Sequence, residues 1–319
     1  MSLPAIFQGR LSLPVIASPM FIVSTPELVI EQCKAGIVGT MPSLNAREAD
    51  QFKPYLVRIK QELADYAAVN PGKPVAPYGI NLIVHKTNNR LEHDLEVCVR
   101  QKVPLIITSL GASKTVIDKI HAYGGIVLHD VVNMRHARKA ISEGVDGLIP
   151  VCAGAGGHAG ALSPFAIVRE LRTFYSGIIA LSGAISDGAG VLGALAMGAD
   201  FAYIGSRFIA TQESGAKPEY KQMVVEANAA DIIYTPLFTG VPANYLRPTI
   251  VNAGLDPENL PHREKDTMSF AEGNPRPKAW RDVWGCGQGI GTVTDIPATA
   301  DLVARMAAQY AEAKKRICA

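Results

Sequence analysis

The sequence lacks most of the features that take a chain out of the ordinary class of soluble enzymes. No uninterrupted apolar stretch approaches the roughly 18 residues of a membrane helix, and no basic segment followed by an apolar one opens the chain, so neither a membrane span nor a secretory leader is expected. Charge of one sign is also missing. The 31 Lys and Arg nearly balance the 29 Asp and Glu, leaving +2, and no basic run is interleaved with aromatics as a nucleic-acid surface requires. The one basic cluster, Lys314, Lys315 and Arg316, ends a helical stretch, where cations suit the exposed carbonyls.

Metal and disulfide chemistry are equally poorly provided for. Five cysteines, Cys33, Cys98, Cys152, Cys286 and Cys318, are odd in number and show no Cys-x-x-Cys spacing, which argues against a disulfide framework or a zinc site and for a reducing, cytoplasmic setting. The seven histidines form no His-Glu-x-x-His and no close cluster with Cys or carboxylates, so no bound metal is expected. A Gly-x-Gly-x-x-Gly turn after a first strand, the mark of a dinucleotide-binding fold, is absent as well.

What is present is apolar: 48% of the residues are hydrophobic and 19% charged, enough for a sizeable core. Eight short apolar runs recur, at 14–18, 36–40, 75–82, 105–109, 125–130, 147–151, 178–182 and 201–205, most of them followed by helical spacing. Runs apolar on successive residues belong to strands covered on both faces, and eight such strands alternating with helices predict a (β/α)₈ barrel, a TIM barrel of ordinary length. Residues 142–149 and 196–203 echo each other, each with a glycine that ends a helix and an aspartate that precedes a strand. After the eighth run the rhythm breaks. Residues 214–292 are rich in Pro, Asn and Gly and are expected to form a mainly helical cap inserted after strand eight, on a barrel made of 1–213 and 293–319, which the amphipathic segment 298–316 completes.

In this fold the active site forms at the C-terminal ends of the strands. After the seventh run come Ser182, Gly183, Ala184 and Ile185, and after the eighth come Gly205, Ser206 and Arg207. Small residues there let backbone N–H groups approach an anion, and a phosphate monoester is the natural occupant, the alternative being two purely structural turns. After the sixth run, Cys152 through Gly160 hold one histidine, His158, in a loop almost without side chains. Its ordinary pKa near 6.5 makes it the candidate general base or acid, against a structural hydrogen-bonding role. The first strand ends in Ala17, Ser18, Pro19 and Met20. Asn81 on the third and Ser109 on the fourth offer polar contacts to a heterocycle or a hydroxyl, although each is also an ordinary strand-end cap.

Together the Pro-Met end of strand one, Gly-Ile-Asn-Leu on strand three, Ala-Gly-Gly-His-Ala-Gly after strand six, the Ser-Gly-Ala-Ile-Ser-Asp-Gly loop and Gly-Ser-Arg-Phe ahead of Glu213 resemble the nitronate monooxygenase family over about residues 10–214, and more loosely at Gly287, Gln288, Gly289 and Ile290. The resemblance implies FMN bound without a covalent link, its phosphate held by Gly183, Ala184, Gly205 and Ser206. It places the ring near Met20, Gly156 and Gly157, with Ala17, Ser18, Pro19, Asn81, Ser109, His129, Ser182 and Gln288 around the cofactor and His158 as the catalytic histidine. The implied reaction is oxidation of an alkyl nitronate or nitroalkane by O₂ to a carbonyl compound and nitrite. One departure stands out: where some relatives carry His-Lys at the end of strand five, this chain has His129 and Asp130, and an aspartate does not stabilise an anionic reduced flavin as a lysine does. The alternatives on the same scaffold are an NAD(P)H-dependent FMN reductase acting on quinones or enoyl-thioesters, and an inosine-monophosphate-dehydrogenase-like enzyme with Cys152 as nucleophile. A binding barrel without turnover is the non-enzyme alternative.

Overall fold

The computed structural model describes residues 3–261 and 279–318. Eight parallel strands form its centre: β1 (Val15–Ala17), β2 (Gly39–Pro42), β3 (Tyr78–Ile83), β4 (Leu105–Ser109), β5 (Ile126–Val131), β6 (Gly147–Pro150), β8 (Ile178–Ser182) and β9 (Phe201–Ile204). The two-residue strand β7 (Gly157–His158) lies between the sixth and seventh barrel strands and belongs to another sheet. The hydrogen-bonded order β1-β9-β8-β6-β5-β4-β3-β2 closes on itself, because Ala17 N donates to Val38 O (2.8 Å) and Val38 N donates to Val15 O (3.0 Å). The chain therefore folds as the expected (β/α)₈ barrel. The strands keep close to the predicted runs, and the fourth and seventh barrel strands coincide with them.

Alternation along each strand fills two layers. Ile16, Leu105, Ile107, Leu128, Ile149, Ala180, Phe201 and Tyr203 point inward, while Val15, Ile106, Val127, Leu148, Ile179, Leu181 and Ala202 pack under the helices. Phe7 plugs the bottom edge-on to Phe201, with ring centroids 4.9 Å apart. Above this inner layer, toward the C-terminal ends of the strands, inward positions become polar: Asn81, Ser109 and Asp130. The core thus stops where the mouth begins.

The two echoed segments do the same work. Asp146 accepts from Val127 N (2.7 Å) at the start of one barrel strand, and Asp200 accepts from Ile179 N (2.8 Å) at the start of another. Each carboxylate satisfies a buried N–H that the parallel ladder leaves over.

The described part of the cap contains α9 (Pro218–Glu226), β10 (Ile232–Thr235), β11 (Ala243–Leu246) and α10 (Arg247–Asn252). Strands β10 and β11 pair antiparallel and β11 then pairs with β7, a three-stranded sheet that the aperiodic sequence did not signal. Residues 262–278 of the expected cap lie outside the described residues. The chain returns through α11 (Thr299–Cys318), whose first turn is capped by Glu213: the carboxylate accepts from Thr299 N (3.0 Å) and Thr299 Oγ1 (2.7 Å). Among the described residues no helix is long and apolar enough to cross a membrane.

Candidate active site at the barrel mouth

A cavity of about 2000 Å³ opens at the C-terminal ends of the strands, beneath the cap. Its wall gathers Ser18, Pro19 and Met20 from the end of β1, Asn81 from β3, Ser109 from β4, and His129 and Asp130 from β5. The loop after β6 adds Gly156, Gly157 and His158, the loop after β8 adds Ser182, Gly183 and Ala184, and that after β9 adds Gly205 and Ser206. Residues spread over nearly 190 positions of sequence thus face one space. Two expected residues do not reach the wall. Ala17 is fully buried behind it, its carbonyl accepting from Thr40 Oγ1, and Gln288 is exposed on the cap, beside Gly154.

The loops after β6, β8 and β9 converge with the cap to form a cradle of backbone. Gly183 has φ +142° and the neighbouring Ala184 φ +53°, positive-φ backbone of the kind that can form an anion-binding concavity from successive N–H groups. A Cβ on Gly183 would lie 2.9 Å from Ala153 O, and one on Gly156 would lie 2.9 Å from both Ser206 Oγ and Gly287 N. Both positions call for glycine because a Cβ there would press on neighbouring backbone atoms. The cap locks the cradle: Gly287 N donates to Ser206 Oγ (2.8 Å) and Gln288 N donates to Gly154 O (2.9 Å). Asn244 Nδ2 adds a bond to Ala155 O (2.7 Å). Helix α7 (Gly188–Met197) is started by Asp187, whose side chain accepts from Gly190 N, and the short α8 (Ser206–Ile209) starts at the cradle itself. Arg207, within the Gly-Ser-Arg-Phe motif, points away: its buried guanidinium pairs with Asp295 (2.9 Å) and serves the fold.

His158 sits on β7, paired with Ala243 of β11, so that the cap sheet holds it. It is half-buried, and its ring meets Trp280 edge-on at 5.5 Å. Nε2 lies 3.0 Å from Thr239 Oγ1. Desolvation lowers its pKa to about 4, so the imidazole is neutral at neutral pH. His129 is neutral for the same reason, with its pKa lowered to about 4 and Nδ1 bonded to Thr108 Oγ1 (2.8 Å). Asp130 ends a hydrogen-bond chain in which Asn81 Nδ2 donates to Ser109 Oγ (2.7 Å) and Ser109 Oγ donates to Asp130 Oδ2 (2.5 Å). Burial raises its pKa to about 6. Thr239, Asn244 and Trp280 were not legible as site residues. Only the alternating glycines at 285, 287, 289 and 291 hinted at the close approach of the cap.

Cys152 is buried and its thiol is pushed up to about 12 by desolvation, which argues against it as the nucleophile of the dehydrogenase-like alternative. No group of His, Cys, Asp and Glu able to hold a metal occurs among the described residues.

A parallel barrel whose mouth joins a glycine-built backbone cradle to a neutral histidine has the layout of a barrel enzyme with its site at the C-terminal ends of the strands. The family model for nitronate monooxygenase matches residues 7–309, and the chain belongs to that family of oxidoreductases. A nitronate monooxygenase of Neurospora crassa is 24% identical over 95% of this chain and 89% of its own. An indene-carboxyl-CoA dehydrogenase of Rhodococcus jostii is 25% identical over 75% of this chain and 64% of its own. The solved nitroalkane oxidase of Streptomyces ansochromogenes superposes with a TM-score of 0.77 at 20% identity, covering 98% of this chain and all of that one, a likeness of fold.

Proposed function

We propose that this chain is an FMN-dependent nitronate monooxygenase, oxidising alkyl nitronates, and more slowly nitroalkanes, with O₂ to carbonyl compounds and nitrite. The observation that carries the proposal is the meeting of the backbone cradle and His158 on one cavity. The residues present fit FMN: the peptide N–H groups of Gly183, Ala184, Gly205 and Ser206 would hold the phosphate, with Ser182 beside them. Glycines 156 and 157 and Met20 would flank the ring, and Ser18, Pro19, Asn81, Ser109 and His129 line the space left for its edges. Bound there, the flavin supplies the electron transfer and the reaction with O₂.

The protein's part is position, dryness and one base. The neutral His158 would take the α-proton of a nitroalkane at its free ring nitrogen, whereas a nitronate arrives already deprotonated. The apolar flank of Met20, Leu237 and Trp280 suits a small alkyl substituent. The four buried free thiols suit a reducing, cytoplasmic environment.

One observation favours a second reading. A cavity of about 2000 Å³ exceeds the roughly 1,000 Å³ at the upper end of ordinary small-molecule sites, leaving room for an enoyl-thioester or quinone with NAD(P)H as reductant. The Rhodococcus relative carries a CoA thioester in its name. An absorbance spectrum of the purified protein, followed by anaerobic mixing with nitronate, NADH or NADPH, decides between them. Bleaching of a flavin band by nitronate alone is expected. Rapid bleaching by NADH or NADPH would establish the reductase, and a colourless protein that takes up no FMN would end both readings.

A further inference from the structure

Asp130 is the one acidic residue on the described wall of the cavity, and the oxidation reaction as proposed leaves it unused. It points inward on β5, between Leu128 below and the open mouth above. Oδ2 is held by Ser109, itself held by Asn81, so the carboxyl is fixed in place. Oδ1 is fully buried and has no hydrogen-bond partner. A buried carboxylate oxygen without a donor is costly, and no cation on the described wall forms an ion pair with it.

We propose that Asp130 is the proton acceptor that follows the electrons into the cofactor: ionised while the flavin is oxidised, it takes up one proton through Oδ1 when the flavin is reduced. The inference rests on FMN occupying this cavity. The balance is simple. Two electrons from the reductant and one proton give the anionic reduced ring, and a second proton from solvent goes to Asp130. The pair thus gains two electrons and two protons and no net charge.

The surroundings leave Asp130 free to do this. On β4 the facing group is Ser109, and on β6 the facing residues are apolar. On β9 the facing group is Tyr203, a phenol whose pKa is raised by burial and then by Asp130 itself, so it stays neutral. On β5, His129 is turned to Thr108 and is neutral at the relevant pH. With burial already holding Asp130 near 6, a new negative charge next to it pushes the pKa further up, and proton uptake on reduction follows between about pH 6 and that raised value.

The test is the midpoint potential of the FMN holoprotein against pH, from pH 5 to 8.5, with reduction by dithionite or a photoreductant in the presence of a reference dye. Wild type is expected to take up two protons per electron pair between about pH 6 and the raised value, and one below about pH 6. Asp130→Asn, which keeps the shape and a partner for Ser109, is expected to take up one throughout, with the reduction equilibrium at pH 7.5 favoured at least tenfold, about 30 mV for a two-electron couple. The wild-type infrared difference spectrum, reduced minus oxidised, is expected to gain a protonated carboxyl band. This second readout needs no variant and decides the matter if Asp130→Asn binds FMN poorly. Equal slopes in the two proteins, or no carboxyl band, with FMN bound, overturn the role of Asp130 and leave the flavin assignment standing. A protein with no FMN spectrum overturns both.

Discussion

His158 and Thr239 are 81 residues apart in sequence and 3.0 Å apart in space, Nε2 to Oγ1. The threonine hydroxyl donates its only proton to Val241 O at 3.0 Å, so toward His158 it acts as acceptor, and the imidazole carries its proton on Nε2. Nδ1 is left with the lone pair. A base needs that lone pair, and a cap threonine therefore selects the useful tautomer. Thr239→Val removes the acceptor, lets the proton move to Nδ1, and is expected to lower kcat/KM for a neutral nitroalkane about tenfold, which corresponds to about 1.4 kcal/mol. Thr239→Ser is expected to recover most of the loss. Turnover of preformed nitronate, which needs no base, is expected to change little in either variant. Equal losses on both substrates would mean that Thr239 merely supports the loop.

The low pKa of His158 has a direct consequence for rate and pH. A base with a pKa near 4 is deprotonated over the whole neutral range but accepts a proton weakly. The nitronate is accordingly expected to be the better substrate by at least an order of magnitude in kcat/KM at pH 7.5. For the nitroalkane the acid limb of the kcat/KM profile is expected to fall near pH 4, where the imidazole of the free enzyme becomes protonated, rather than near 6.5. His158→Asn is expected to abolish that limb together with nitroalkane turnover, while FMN still binds. A limb at 6.5 would show that the histidine is better solvated than its burial beside Trp280 implies.

Much of this was legible before the structure because short-range rules govern it. Strands 105–109 and 178–182 are continuous apolar runs bounded by turn residues, and they form as read. Gly183 and Gly156 announced close backbone approach, and the structure shows the contacts that forbid a Cβ there. Two residues of the motifs that carry the family resemblance serve the fold: Glu213 caps α11 and Arg207 is tied to Asp295. What the sequence concealed was built by long-range pairing. The sheet of β10, β11 and β7 has no hairpin signal between β7 and β11, since 84 positions separate the paired His158 and Ala243 ends and the pairing is made only when the cap folds over the mouth. Thr239 comes to the wall from the connection between β10 and β11, Trp280 by packing on Tyr245 of β11, and Asn244 of β11 braces the loop through Ala155 O, and no local pattern marks them.

Gly156 separates the backbone cradle from an ordinary loop. A side chain there collides with Ser206 Oγ and Gly287 N, the two atoms whose bond fastens the cap to the cradle. Gly156→Val is expected to weaken FMN binding at least tenfold and to leave the barrel folded, because the clash is confined to the mouth. Fluorescence titration of the apoprotein with FMN, alongside far-ultraviolet circular dichroism, checks both halves. FMN binding at wild-type strength would place the cofactor elsewhere in the cavity.

Cysteine reactivity gives an inexpensive test of the burial pattern. Cys33, Cys152 and Cys286 are buried with thiols pushed up to about 12, and burial raises the Cys98 thiol well above its ordinary value too, whereas Cys318 is exposed near the end of α11. The thiolate is the nucleophile, so the buried four are expected to be inert at pH 8. Native protein treated with iodoacetamide is expected to gain one label, on Cys318, and five only after unfolding. Fast modification of Cys152 in the native state would restore the cysteine-dependent alternative.

The paired aspartates at the bottoms of the strands allow stability to be separated from chemistry. Asp200 Oδ2 accepts from Ile179 N at 2.8 Å and from Arg172 Nη2 at 2.6 Å, with both side chains largely shielded from water. Asp200→Ala strands a backbone donor and a guanidinium together and is expected to cost about 2 kcal/mol of unfolding free energy. Asp200→Asn retains an acceptor for Ile179 and is expected to lose about half as much. Asp146 repeats the arrangement with Val127 N and with His121 Nε2 at 2.8 Å, but its partner is far more exposed, so Asp146→Ala is expected to cost less than Asp200→Ala. Urea unfolding of the three variants measures the order. Because these carboxylates lie at the opposite end of the strands from the cradle, FMN affinity and the flavin spectrum are expected to stay at wild-type values in all three, and a spectral change in Asp200→Asn would show that the two ends of the barrel are mechanically coupled.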